Sequence, residues 1–191
     1  MSPPRDLAST ETDFPQDTDA ALVAAAHRRP AAFAALYDRY VASVYRYHLS
    51  RVGDVAEAED LTAQTFLAAL EAFPRYRHRG RFAPWLFKIA RSKAMDHLRR
   101  KRSETPIESI ALQSSEPDPE LSSQAEESRR RLLDVLEKLP PDDLELIRLR
   151  YVVELSFRDM ADMLGRNTDA VKKALYRLQA SLKRKLEQPD E

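Results

Sequence analysis

The side chains able to do chemistry here are cations, aromatics and carboxylates, and their spacing argues against catalysis. The four histidines, His27, His48, His78 and His97, show none of the paired spacings that zinc or di-iron ligation requires. The absence of cysteine excludes a thiol nucleophile, a Cys-ligated zinc, an iron–sulfur cluster and a disulfide scaffold. Three glycines in 191 residues cannot supply a glycine-rich phosphate cradle. A helical metal-dependent enzyme built on Glu57, Asp60 and a histidine lacks the ligand spacing it needs. The expectation is therefore no catalytic site, no metal and no cofactor. What the sequence does offer is PRYRHRGRF at residues 74–82, four arginines interleaved with a tyrosine and a histidine. Arginine beside aromatics on a loop suits single-stranded nucleic acid, because guanidinium groups meet phosphates while flat rings stack on bases. Tyr76 and His78 are the candidates for an unstacked base.

Formal neutrality, 31 basic against 31 acidic side chains, conceals segregation of that charge. Residues 75–102 hold eleven basic side chains against Asp96 alone, and residues 166–186 hold seven against Asp169 alone. Between them, residues 103–128 hold seven acids and no Lys or Arg, in a setting of Ser, Pro and Gln too polar to bury a core. Two basic surfaces flanking an acidic tether are the pattern of a nucleic-acid-binding protein rather than of ordinary solvated helix faces. Residues 1–19, rich in Pro, Ser, Thr and Asp, read as a disordered extension. No apolar run approaches the roughly 20 residues of a membrane span, and no basic-then-apolar leader precedes the first helix. The expectation is a cytoplasmic protein with no membrane insertion.

Scarce glycine and abundant Ala, Leu, Arg and Glu predict an all-α protein. In the first unit, residues 20–102, Phe33, Leu36, Tyr37, Tyr40, Val41 and Val44 recur at helical intervals and form a core stripe. A second helix starts after Gly53 with acids in its first turns and turns Leu61, Phe66, Ala69, Leu70 and Phe73 towards the first. Its other side presents Glu57, Asp60 and Gln64, either as a hydrated surface or as a docking face for a basic partner. Pro74 ends it. Phe82, Trp85, Leu86 and Ile89 then make the stripe of a third helix with Pro84 in its first turn, so Trp85 reads as a core anchor. That helix closes on DHLRRKRS, whose cations suit both a C-terminal dipole and phosphates.

The second unit, residues 129–187, carries the most specific spacing. In SFRDMADMLGRNTDAVKKALYRL, Phe157, Met160, Ala161 and Leu164 make one short stripe, Gly165 supplies a turn, and Val171, Ala174, Leu175 and Leu178 make a second stripe. A small residue where the helices approach, a glycine free to take positive φ, and a β-branched plug define a helix-turn-helix, with Asn167 as cap of the second helix. Such a helix enters the major groove by its N-terminal half. Thr168, Asp169, Lys172, Lys173 and Tyr176 would then face base edges, while Arg177 and Lys183 meet phosphates.

Together the two units resemble the sigma-70 family of bacterial RNA polymerase initiation factors, in its small extracytoplasmic-function (ECF) group, over about residues 30–102 and 130–186. Three motifs carry the resemblance in order: AEDLTAQTFLAAL, FAPWLFKIARSKAMDHLRR and the helix-turn-helix. It implies two small helical domains, a region 2 bundle and a region 4 helix-turn-helix, joined by a flexible acidic linker. It also implies that Asp60 and Gln64, with Glu57 and Leu61, dock on the β′ clamp helices of core RNA polymerase. Tyr76, Arg77, His78 and Arg79 would capture a flipped base of the −10 element, with Lys88, Arg91, Lys93 and Arg99 on phosphates. The helix-turn-helix would read the −35 element and meet the β flap, the linker would thread towards the catalytic cleft, and an anti-sigma protein would mask these surfaces. The chain departs from the family pattern at Ser92, at Lys173 and Ala174 in the recognition helix, and after Pro140, where PDDLE stands in place of an arginine-bearing segment. The competing reading is a stand-alone helix-turn-helix regulator whose first unit only dimerises.

Overall fold

A computed structural model describes residues 16–77, 81–104 and 123–187, and within them the chain is helical with no strand. The helices are α1 (Gln16–Arg28), α2 (Phe33–Val52), α3 (Val55–Ala72), α4 (Phe82–Glu104), α5 (Ser123–Glu137), α6 (Pro141–Ile147), α7 (Phe157–Leu164) and α8 (Thr168–Glu187). A π-helical turn over Arg148–Val152 continues α6. Two boundaries differ from the sequence reading. Helix α1 takes in Gln16 to Asp19, because Asp19 is buried where its carboxylate accepts from the Tyr40 hydroxyl and pairs with Arg39. Residues 1–15 lie outside the described residues. Likewise α4 runs to Glu104 and α5 begins at Ser123, inside the segment assigned to the tether, of which residues 105–122 lie outside the described residues.

Helices α2 and α3 form an antiparallel hairpin whose turn is written in two residues. Gly53 takes φ +74°, open to a residue without Cβ, and Asp54 caps α3 by accepting the Glu57 backbone N–H at 2.8 Å. The stripe Leu36, Tyr40, Val44 and Tyr47 then meets Phe66 and Ala69 of α3, and α4 closes the bundle with Phe82, Leu86, Phe87 and Ala90. Full burial of a side chain of this size contributes about 2 kcal/mol. Phe33, Phe73, Tyr76, Phe82 and Trp85 contact one another by ring edges and faces, locking the start of α4 to the end of α3. Tyr37, assigned to the same stripe, lies at its margin, exposed yet with its ring edge against Phe66.

In the second unit, Ser156 caps α7 by accepting the Asp159 N–H, and its hydroxyl donates to the Asp159 carboxylate. Gly165 ends the helix at φ +64°. Val171 and Leu175 of α8 join Met160, Ala161, Leu146 and Leu149 in one buried cluster, and Leu178 is buried further along the helix. The two units do not stand apart: α7 packs on α4 and the π-helical turn packs on α2, so one continuous apolar core runs through both.

Candidate nucleic-acid interface

The helix-turn-helix separates its two faces cleanly. On α8, Val171, Leu175 and Leu178 are buried, while Thr168, Asp169, Lys172, Lys173, Tyr176 and Arg177 are all exposed. Asn167 Oδ1 accepts the Asp169 backbone N–H at 2.8 Å, satisfying one of the free donors at the start of the helix. Lys172 and Tyr176 are steadied from α7: Phe157 sits edge-on to the Tyr176 ring at 6.0 Å, and the Lys172 ammonium lies within about 6 Å of both rings. Among the six exposed residues Asp169 is the one acid, so the outer face of the helix is cationic. Lys183, further along, forms a pair with Glu187 at 3.7 Å.

The basic segment before α4 is arranged differently from the sequence reading. Tyr76 is only 8% exposed, its ring 4.5 Å from Trp85 and stacked towards Phe73, so it belongs to the aromatic cluster rather than standing free on a loop. Burial pushes its phenol up to about 12, with Asp19 and Asp162 acting in the same direction. The reason is spacing: Tyr76 follows Phe73 by three residues, and the 3-10 turn Phe73–Arg75 brings both rings to one side. Trp85, by contrast, is half-buried. It packs on the core and shows its remaining surface to a cavity of about 430 Å³ lined also by Arg75, Arg77, Arg81, Lys88 and Asp162. A smaller recess of about 310 Å³ lies between α1 and Tyr76. His78 and Arg79 fall outside the described residues. Along α4, Lys88 and Arg99 are exposed and Lys93 half-buried; Arg99 pairs with Asp96, and Arg91 pairs with Glu145 at 3.4 Å.

On α3 the core stripe holds at Leu61 and fails at Leu70. Leu61 is 1% exposed, a core residue whose neighbours Asp60 and Gln64 point outwards. Asp60 accepts from the Gln64 amide at 2.6 Å, fixing the two as a unit. Glu57 is held by α4, accepting from Lys101 at 2.7 Å and paired with His97 at 3.0 Å. Burial raises the acid's pKa, but the Lys101 and His97 hydrogen bonds outweigh it and keep the carboxyl below its ordinary range. Leu67 is 60% exposed on the Asp60–Gln64 face, and Leu70, expected in the core, is exposed as well. The i, i+4, i+7 spacing of Asp60, Gln64 and Leu67 was available to find Leu67 in the sequence. Among the described residues no group of His, Asp or Glu is placed to hold a metal, and no helix is long and apolar enough to cross a membrane.

Comparisons with known proteins match two segments of the chain. Residues 36–104 match the family model for Sigma-70 region 2, and residues 129–178 match that for Sigma-70, region 4. The chain is 38% identical to the ECF RNA polymerase sigma factor BldN of Streptomyces coelicolor over 84% of its own length, and spans 61% of that relative. It is 36% identical to the ECF RNA polymerase sigma factor SigD of Mycobacterium tuberculosis, covering 73% of this chain and 70% of that one. Among solved structures it is similar to CnrH in complex with the cytosolic domain of CnrY, at 25% identity and a TM-score of 0.67, covering 90% of this chain and 98% of CnrH. Two consecutive sigma-70 regions, each falling on one of the two packed units, place this chain in the sigma-70 family of transcription initiation factors as an ECF RNA polymerase sigma factor.

Proposed function

We propose that the chain is a dissociable promoter-specificity subunit that docks on core RNA polymerase, reads two promoter elements and starts strand opening, without a catalytic site of its own. The observation that carries this reading is the sorting of α8, apolar residues buried and cations bare, on a helix-turn-helix joined to a second cationic unit. Residues 20–102 act as the region 2 unit and 129–187 as the region 4 unit. Asp60, Gln64 and Leu67 form the face offered to the β′ clamp helices, while Leu61 supports it from beneath and Glu57 ties it to α4. At the −10 element, Arg75, Arg77, Arg81 and Lys88 receive phosphates, and Trp85, open to their cavity, receives an unstacked base with Tyr76 as the wall behind it. Capture offsets the few kcal/mol that unstacking costs, so binding itself drives opening. Thr168, Lys172, Lys173 and Tyr176 read the −35 element, with Arg177 on its backbone. The cytoplasm is where such a subunit meets its polymerase, and an anti-sigma protein of the kind associated with this family covers the same faces.

The test is capture of purified core polymerase by the immobilised full chain. Asp60→Arg combined with Gln64→Ala should abolish capture while leaving the helical circular dichroism intact, since both side chains lie outside the core. Undiminished capture by that variant would remove α3 as the docking face, and no capture by the parent chain would leave the stand-alone regulator as the better account.

A further inference from the structure

Lys172 and Lys173 are neighbours on α8, and one residue turns a helix by about 100°, so their side chains leave on different flanks. Lys172 lies on the flank of Phe157, its ammonium within about 6 Å of the Phe157 and Tyr176 rings. Lys173, a position at which the chain departs from the family pattern, lies on the other. Ala170, Lys173 and Arg177 follow at i, i+3 and i+7 and share one strip of the helix, which Arg166 reaches from the turn before α8. With Tyr176 these four line a recess of about 560 Å³. Arg177 Nε donates back to the Lys173 carbonyl at 3.4 Å, which lays the guanidinium along the strip. Arg166, Lys173 and Arg177 are all exposed, and among the described residues no carboxylate pairs with them, in contrast to Lys183, which is paired with Glu187. Ala170 contributes only a methyl group to the lining, leaving the space between the three cations open.

We propose that Arg166, Lys173 and Arg177 form a binding site for one backbone phosphate of the duplex that α8 enters. The proposal rests on the reading of α8 as the −35 helix and refines it, passing Lys173 from the base edges to the backbone. A phosphodiester brings one negative charge and two free oxygens, and the recess meets it with two guanidinium groups and an ammonium that have no acid of their own. Guanidinium forks match phosphate oxygens in pairs, and the lysine adds a point charge beside them. Like charges gathered in one recess repel, so a single anion shared among the three is favoured over three separate contacts. A site of this kind anchors the helix on one strand and fixes its register while carrying no sequence information, which leaves Thr168, Lys172 and Tyr176 to the bases.

The measurement is the salt dependence of duplex binding by the full chain, followed by fluorescence anisotropy of a labelled duplex of mixed sequence. Each phosphate neutralised contributes about 0.9 to the slope of log affinity against log salt concentration. Arg166→Gln, Lys173→Gln and the double variant should each lower the slope by about 0.9 and no further, because both cations serve one phosphate. A double variant that loses about 1.8 means two separate phosphates and overturns the shared recess, as does a double variant with the parent's slope. Ala170→Glu, which puts a carboxylate into the recess, should match the double variant. All three positions are exposed, so helical circular dichroism should be retained. Selection from a randomised duplex library separates backbone from base: Lys173→Gln should recover the parent's sequences with weaker binding throughout, and a changed base preference overturns the site. Inorganic phosphate is the control ligand. If it binds in an Arg166- and Lys173-dependent way while the duplex slope ignores both residues, the recess serves free anions and the assignment to DNA is overturned. Absence of duplex binding by the parent at low salt overturns it as well. Core polymerase enters none of these measurements, so failed polymerase capture beside an intact slope response would refute the proposed function and leave the recess standing.

Discussion

His48 provides a quantitative test of how α3 is held against α2. It is fully buried on α2, and its Nε2 lies 2.9 Å from Thr65 Oγ1 on α3. The Thr65 hydroxyl donates to the Leu61 carbonyl at 2.7 Å, so it has only lone pairs to offer the imidazole. His48 must then carry its proton on Nε2, and Nδ1, buried and without a hydrogen-bond partner, must stay bare. Burial pushes the imidazole down to about 4, with Arg51 and His97 adding repulsion. Unfolding returns it to its ordinary value of 6.5. As pH falls, the unfolded chain takes the proton first, so this contribution to stability is complete above about pH 7 and is lost between 6.5 and 4. The full loss is about 3 kcal/mol, of which about 2 kcal/mol is gone by pH 5. Glu57, held below the ordinary carboxylate range by Lys101 and His97, loses its contribution at more acid pH, and comparison with a His48 variant isolates the imidazole's own share between pH 5 and 7. Urea unfolding followed by circular dichroism at pH 7 and pH 5 measures it. His48→Gln, whose amide still donates to Thr65, should abolish most of the pH dependence. An equal drop in both proteins, or no drop in the parent, would refute the assignment of a neutral, Nε2-protonated His48.

Two further perturbations examine the helix-turn-helix. Leu175→Ala empties space at the buried crossing of α7 and α8 and should cost about 2–5 kcal/mol in the same urea assay, with promoter binding falling because α8 loses its fixed orientation. Gly165→Ala separates conformation from packing: nothing lies within 4 Å of a Cβ placed there, so only the strain at φ +64° is charged, about 1 kcal/mol. A loss several times larger would mean that the turn is held by contacts rather than by backbone freedom.

Much of this architecture is local and therefore legible in the chain itself. The periods of Phe33 to Val44 and of Val171 to Leu178, the Gly53–Asp54 and Gly165–Asn167 breaks, and the segregation of charge each depend on residues a few positions apart. They yield helices, a helix-turn-helix and two cationic surfaces. Residues on the flanks of a stripe are another matter, because whether they are covered depends on which helix arrives beside them. Leu61 and Leu70 sit on one helix with similar apolar character, yet the first is 1% exposed and the second 45%. Tyr76 resembled a free ring among arginines until Phe73 and Trp85 closed around it.

The sequence alone determined the helical class, the helix-turn-helix and the placement of cations, because periodicity and capping are short-range effects, and its three motifs in order carried the resemblance to the sigma-70 family. Only the tertiary structure decided that Arg51 and Arg91 meet Glu145, partners 94 and 54 residues apart along the chain, and that Asp162 faces Arg81. Pairing at such separations follows from how two units dock, and a carboxylate's partner is set by proximity and burial, neither of which a linear order of residues contains.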